Sequence, residues 1–181
     1  MLIVWLGNPW KEYEKTRHNA WWWILDHCVS LWWGKREVMN QRRCLSATCE
    51  TEYWTIHCIK PQTFMNRSWE SVILVSRALS AKLADIVVLH DDLERACGVR
   101  SPKDGWWMAG HNGLRSIAHS CGSPAFARVR IGIERPNDSQ SVADYVLDRP
   151  TASQCEKIMT CTDPIKEWIE SYQENIGKSL L

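Results

Sequence analysis

The run Ile86-Val87-Val88-Leu89 constrains the fold more than any other stretch of the chain. These successive apolar residues, most of them β-branched, leave no polar face, so the strand they form is buried on both sides. Such a strand needs helices packed against each face of its sheet. Leu2 to Leu6 is a second run of this kind, ended by Gly7-Asn8-Pro9, and reads as a buried first strand entering a turn.

Helical patterns separate these runs. Asn19 is an N-cap candidate for a helix over about residues 20 to 33, which leaves His18 just outside the helix N-terminus. Residues 43–49 and 53–59 alternate around the polar Glu50-Thr51-Glu52 and read as a β-hairpin that Pro61 ends. Asn66 to Ala81 is a helix candidate with Val72, Ile73, Val75 and Leu79 as its buried face. Next come a strand around Gly98 to Lys103, a loop, a helix capped by Asn112 and a strand from Ala127 to Ile133. Thr151-x-x-Gln154 is a capping box, and Pro164 fits the first turn of a second C-terminal helix. The expected fold class is therefore α/β: a single-domain three-layer sandwich spanning 1–181, with a mixed, largely parallel central sheet and a helical C-terminal segment from 151 to 181. Ligands of such folds sit beyond the carboxyl ends of the strands, which singles out the turns after Leu6 and Leu89.

Composition removes several function classes. Lys and Arg number 22 against 21 Asp and Glu, so a polyanion has to be met by a local patch rather than by overall charge. No apolar run exceeds six residues, against about 20 for a membrane span, and the N-terminus has no basic region or cleavage signal of a secretory leader. The expectation is a cytoplasmic protein without a membrane partner. The eight cysteines include no C-x-x-C pair and read as reduced core thiols rather than as zinc ligands or disulfides.

Several segments carry chemistry-bearing residues: Gly7-Asn8-Pro9, Arg17-His18-Asn19-Ala20, Lys60-Pro61-Gln62-Thr63-Phe64-Met65-Asn66 and His90-Asp91-Asp92-Leu93. With Gly110-His111-Asn112-Gly113-Leu114-Arg115 and Arg128-Val129-Arg130-Ile131-Gly132-Ile133, they resemble the bacterial-type peptidyl-tRNA hydrolase family, in order from residue 2 to about residue 149. The resemblance implies a metal-independent, cofactor-free and monomeric esterase that frees peptides from peptidyl-tRNA. It places His18 at the catalytic histidine and Asp91 at its partner carboxylate. Asn8, Phe64, Asn66 and Asn112 fall at substrate-binding positions, and Lys103 and Arg130 where basic residues clamp a tRNA phosphate.

Elementary chemistry agrees. Attack on an ester needs a base that is neutral near physiological pH, and imidazole suits that task. A carboxylate on its other ring nitrogen fixes the tautomer and stabilises the imidazolium. Asparagines orient water and stabilise an oxyanion without adding charge. Taken singly, each residue has a plainer role: Asn8 stabilises a turn, Asn112 caps a helix, His18 enters one and Lys103 or Arg130 is a solvated charge. Asp91 and Asp92 resemble a metal pair, but neighbours on a strand face opposite ways and only one enters the cleft. There is no G-x-S-x-G elbow, and Trp5-Leu6-Gly7-Asn8-Pro9-Trp10 fails the dinucleotide fingerprint. The alternative is a catalytically silent RNA-binding module on the same fold, which would keep the basic patch but not need the site.

One departure runs in a single direction. Where the family typically has Gly, this chain has Trp at positions 5, 10, 21, 69, 106 and 107. A codon read as Gly in the source organism but rendered here as Trp explains the whole set. Stacking of Trp106 and Trp107 on acceptor-end bases would leave Trp5 and Trp69 without a reason.

Overall fold

A computed structural model describes residues 1–32, 36–39, 42–50, 55–103, 108–137 and 139–178. Seven strands form one sheet in the order β2-β3-β4-β1-β5-β7-β6. They are β1 (Leu2–Trp5), β2 (Arg36–Met39), β3 (Cys44–Glu50), β4 (Thr55–Pro61), β5 (Ile86–Asp92), β6 (Arg100–Lys103) and β7 (Ala127–Gly132). The inner strands β4, β1, β5 and β7 run parallel, and antiparallel pairs close both edges.

Residue alternation sorts the core into two layers. Ile3, Trp5, Val87, Leu89, Val129 and Ile131 point to one face, where they meet α1 (Ala20–Trp32), α5 (Ala152–Met159) and α6 (Thr162–Lys178). Leu2, Val4, Leu6, Ile86 and Val88 point to the other, against α2 (Trp69–Ala78) and α3 (Asn112–Cys121). All seven residues of β5 are buried, as its unalternating sequence requires. This is the expected three-layer α/β sandwich. Among the described residues, no helix is long and apolar enough to cross a membrane.

Several local expectations change. Asn19 does not cap α1; it ends a 3-10 turn, Arg17–Asn19, and its side chain is spent on the backbone of Asn8. The cap of α3 is His111, with Asn112 the first helical residue. Helix α2 begins three residues later than the pattern suggested, after a separate turn at Met65–Arg67, and Leu79 lies past its end and is exposed. Strand β2 and the short helix α4 (Val142–Leu147) add to the expected elements. The capping box at Thr151 and Gln154 is formed, and Pro164 sits in the first turn of α6. Cys28, Cys44, Cys97 and Cys161 are buried free thiols, and Cys58 is buried in the core as well. Burial pushes the Cys28 thiol up to about 12 and Cys44 and Cys161 to about 11, so these are packing groups rather than nucleophiles.

The tryptophans at family glycine positions fall into separate environments. Trp5 and Trp21 are buried in one core layer and meet edge to face at 5.7 Å. Trp69 opens α2 and is partly exposed. Among the described ones, Trp10 alone has a left-handed backbone, with φ +75°. Trp106 and Trp107 lie outside the described residues.

Candidate active site

The parallel strands β1 and β5 end side by side, and the segments beyond their carboxyl ends face one cleft. Leu6 continues the pairing by donating its N–H to Leu89 O at 3.0 Å. Asn8 comes next, held on every side. Its N–H donates to Asn19 Oδ1 at 2.8 Å, its carbonyl accepts from Asn19 Nδ2 at 2.9 Å, and its own Oδ1 accepts from Met65 N at 2.8 Å. Asn8 therefore ties the ends of β1 and of the 60–66 segment together, and its Nδ2 remains to face the cleft.

At the end of β5, Asp91 and Asp92 point to opposite sides, as strand geometry demands. Asp91 is 5% exposed and accepts from two rings. His18 Nδ1 lies 2.9 Å from both carboxylate oxygens, and His111 Nε2 lies 3.0 Å from Oδ1. Burial on its own would raise the Asp91 carboxyl; the His18 and His111 rings override it and hold the group far below the usual carboxylate range.

His111 is the functional residue that sequence reasoning passed over. Its Nδ1 accepts from Gly113 N at 3.1 Å and Leu114 N at 3.4 Å, capping α3. A ring nitrogen that accepts two backbone N–H groups carries no proton, so the proton is on Nε2, the nitrogen that faces Asp91. The signal was present in the Gly110-His111-Asn112 motif, but histidine is an uncommon cap and the neighbouring Asn drew the assignment. The same approach requires Gly113, where a Cβ would stand 2.7 Å from Met65 Sδ and 2.8 Å from Leu6 Cδ1.

His18, Asp91 and His111 bring ligand-type atoms within 4.8 Å of one another. The cap decides how this cluster is read: with Nδ1 occupied and Nε2 protonated, His111 has no lone pair for a metal, and the group is a hydrogen-bonded chain. His18 donates Nδ1–H to Asp91 in the same way, which leaves its Nε2 lone pair as the free basic atom.

The cleft has a volume of about 230 Å³. Asn8, His18, Asn66 and Asn112 supply its polar wall, and Phe64 and Met65 an apolar one. Tyr13 and the α4 residues Ala143, Val146 and Leu147 complete it. His18, Asp91, Asn8, Phe64, Asn66 and Asn112 are thus brought together. Arg130 is not among them: it donates to Asp92 Oδ2 at 3.2 Å and to Ser101 Oγ at 2.9 Å, on the side of β5 away from His18. Lys103 is described by its backbone alone, as the last residue of β6, with its Cα opposite Arg128 in the register that sets Ser101 opposite Arg130.

A family model described as peptidyl-tRNA hydrolase matches residues 2–180. The peptidyl-tRNA hydrolase of Leptothrix cholodnii is 38% identical over 162 residues, covering 90% of this chain and 76% of that protein. That of Citrifermentans bemidjiense is 37% identical over 172 residues, covering 93% and 89%. The crystal structure of peptidyl-tRNA hydrolase from Acinetobacter baumannii superposes with a TM-score of 0.82 at 33% identity, over 90% of this chain and 82% of the other. Matched over nearly its whole length by sequence and by fold, the chain belongs to the peptidyl-tRNA hydrolase family.

Proposed function

We propose that this protein hydrolyses the ester between a peptide, or an N-blocked amino acid, and the terminal ribose of tRNA, returning the tRNA to translation. The observation that carries the reading is the buried Asp91 carboxylate bridging His18 and the cap-locked His111 at the polar wall of an asparagine-lined cleft.

His18 Nε2 takes a proton from water as the water oxygen attacks the ester carbonyl. Asp91 holds the ring in the tautomer that leaves Nε2 free and stabilises the imidazolium formed. The amide donors of Asn8, Asn66 and Asn112 are available to the developing oxyanion and to the peptide backbone. When the tetrahedral intermediate collapses, the carbon–oxygen bond to ribose breaks and the ribose oxygen takes the proton back from His18. Phe64, nearly half exposed on the rim, offers an apolar face to the acceptor end or the esterified side chain.

Lys103 and Arg130 are the tRNA phosphate contacts in this reading. Arg130 is already paired with Asp92, so a phosphate shares or displaces that carboxylate. In this reading the chemistry uses no metal, cofactor or membrane and takes place in the cytoplasm in a monomer. A silent RNA-binding module on this fold is not favoured, because it gives no reason for the linked His18, Asp91 and His111.

The test is release of N-blocked amino acid from aminoacyl-tRNA by the parent and by His18→Ala. The variant keeps its fold and tRNA affinity and loses nearly all turnover. Turnover within threefold of the parent would overturn the base assignment.

A further inference from the structure

Arg17 stands next to His18 and looks the other way. Its side chain is 8% exposed and enters the space between the 3-10 turn, α4 and the start of α5. Nη1 donates to Tyr145 O at 3.1 Å, and Nη2 to Gln154 Oε1 at 3.1 Å. The guanidinium plane lies over the Tyr145 ring at 4.0 Å, and the Asp148 carboxylate is 4.0 Å away. The Arg17 backbone N–H also donates, to Asp148 O at 3.1 Å. One buried side chain thus binds the last turn of α4, the chain just beyond it and Gln154 in the first turn of α5.

Helix α4 is capped by Ser141 and buries Tyr145 and Val146 in the core, and Arg17 clamps its last turn. The helix has six residues, too short to be stable unaided, and it packs on the Arg17–Asn19 turn. Tyr145 adds an anchor through its hydroxyl, which donates to Ile133 O at 2.7 Å. Ala143, Val146 and Leu147 of this helix line the cleft with the asparagines. The placement of that lining relative to His18 is therefore set through two adjacent residues: His18 is fixed on Asp91, and Arg17 is fixed on α4.

We propose that Arg17 is a positioning residue for substrate binding, seating α4 against the cleft in register with His18. The proposal rests on the ester-hydrolase reading for its kinetic consequence but not for its structural one. Planarity matters, because a guanidinium spans the Tyr145 carbonyl and the Gln154 amide at once while stacking on a ring; a lysine ammonium is a point charge and does not.

The experiment compares Arg17→Ala, Arg17→Lys and Tyr145→Phe by steady-state hydrolysis of N-blocked aminoacyl-tRNA and by amide hydrogen exchange. Both Arg17 variants raise KM tenfold or more, keep kcat within threefold and leave the midpoint of the pH–rate profile in place, because His18 and Asp91 are untouched. Tyr145→Phe keeps the ring and the carbonyl that Arg17 engages but loses the hydroxyl bond to Ile133 O, and it raises KM less than either Arg17 variant. In Arg17→Ala, amides of 143–147 exchange at least tenfold faster while those of 86–92 keep their protection. An unchanged KM, or a fall in kcat with a moved pH midpoint and lost protection in 86–92, overturns the assignment, the latter because it marks general damage. If the parent hydrolyses no such ester, the functional reading fails on its own. The exchange measurement then decides the seating role, and unchanged protection at 143–147 overturns it.

Discussion

Replacing His111 separates two bonds that its ring makes at once. Alanine removes both the cap on α3 and the donor to Asp91, whereas asparagine, among the best capping residues, keeps the cap but is too short to reach the carboxylate. Loss of a cap costs about 1 kcal/mol, and loss of one hydrogen bond to a buried charge about 1.5–3 kcal/mol. His111→Ala is thus expected to lose about 2.5–4 kcal/mol and His111→Asn about 1.5–3 kcal/mol, the difference between them being the cap. Urea unfolding at neutral pH, with m unchanged, reads these values as shifts in midpoint. Asp91 adds a pH signature. Its depressed folded-state pKa makes its contribution complete above the ordinary carboxylate value near ~3.9 and lost progressively as pH falls below it. Without His111 the folded value lies closer to the ordinary one, so less stability depends on that ionisation and the parent and His111→Asn curves converge in acid. The looser His18–Asp91 pair should also lower kcat by about tenfold, or ~1.4 kcal/mol. Equal midpoints for the alanine and asparagine variants would refute the capping role; parallel acid curves would refute the bond to Asp91.

Trp10→Gly should raise the urea midpoint. It relieves a left-handed penalty of ~1–2 kcal/mol at φ +75°, against the lower part of ~0.5–1.5 kcal/mol for a ring contact with Phe64 at 4.4 Å that is half exposed. A lowered midpoint would refute the backbone argument, and mass spectrometry of protein from its native source should find Gly at position 10. His90 is buried with its pKa well below the ordinary histidine value, burial being the largest cause and the neighbouring His111 the next. The unfolded chain gains a proton there that the folded chain refuses, so stability falls as pH drops below about 6.5, by up to ~1.4 kcal/mol per unit. His90→Gln should flatten that slope, and an unaltered slope would sink the assignment. Lys103→Ala and Arg130→Ala should weaken binding of full-length tRNA and reduce the slope of log affinity on log salt by about one unit or less each. Equal losses on a short ester substrate without that phosphate would point to damage in the cleft instead.

Elements that depend on near neighbours in the chain were legible in the sequence. The unalternating Ile86-Val87-Val88-Leu89 run became the β5 core, alternation placed β7, and Thr151 and Gln154 closed their capping box, because periodicity and capping depend on residues a few positions away. The motifs around Asn8, His18, Asn66, Asp91 and Asn112 pointed to a site only through their resemblance to the family's, since each residue taken singly suits a turn, a cap or a helix entry.

Tertiary structure decided which polar atoms were already taken. Asn19 and His111 carry side chains that suit several roles, and the choice depended on partners 11 and 20 residues distant. Asn19 was drawn to the backbone of Asn8, and His111 became both cap and Asp91 donor. Arg130 likewise could be read as a free cation until the strand register brought it beside Ser101 and Asp92. A buried donor or acceptor has to find a partner wherever the fold supplies one; pairing across the sheet and between layers is a property of the assembled chain, which no local pattern encodes.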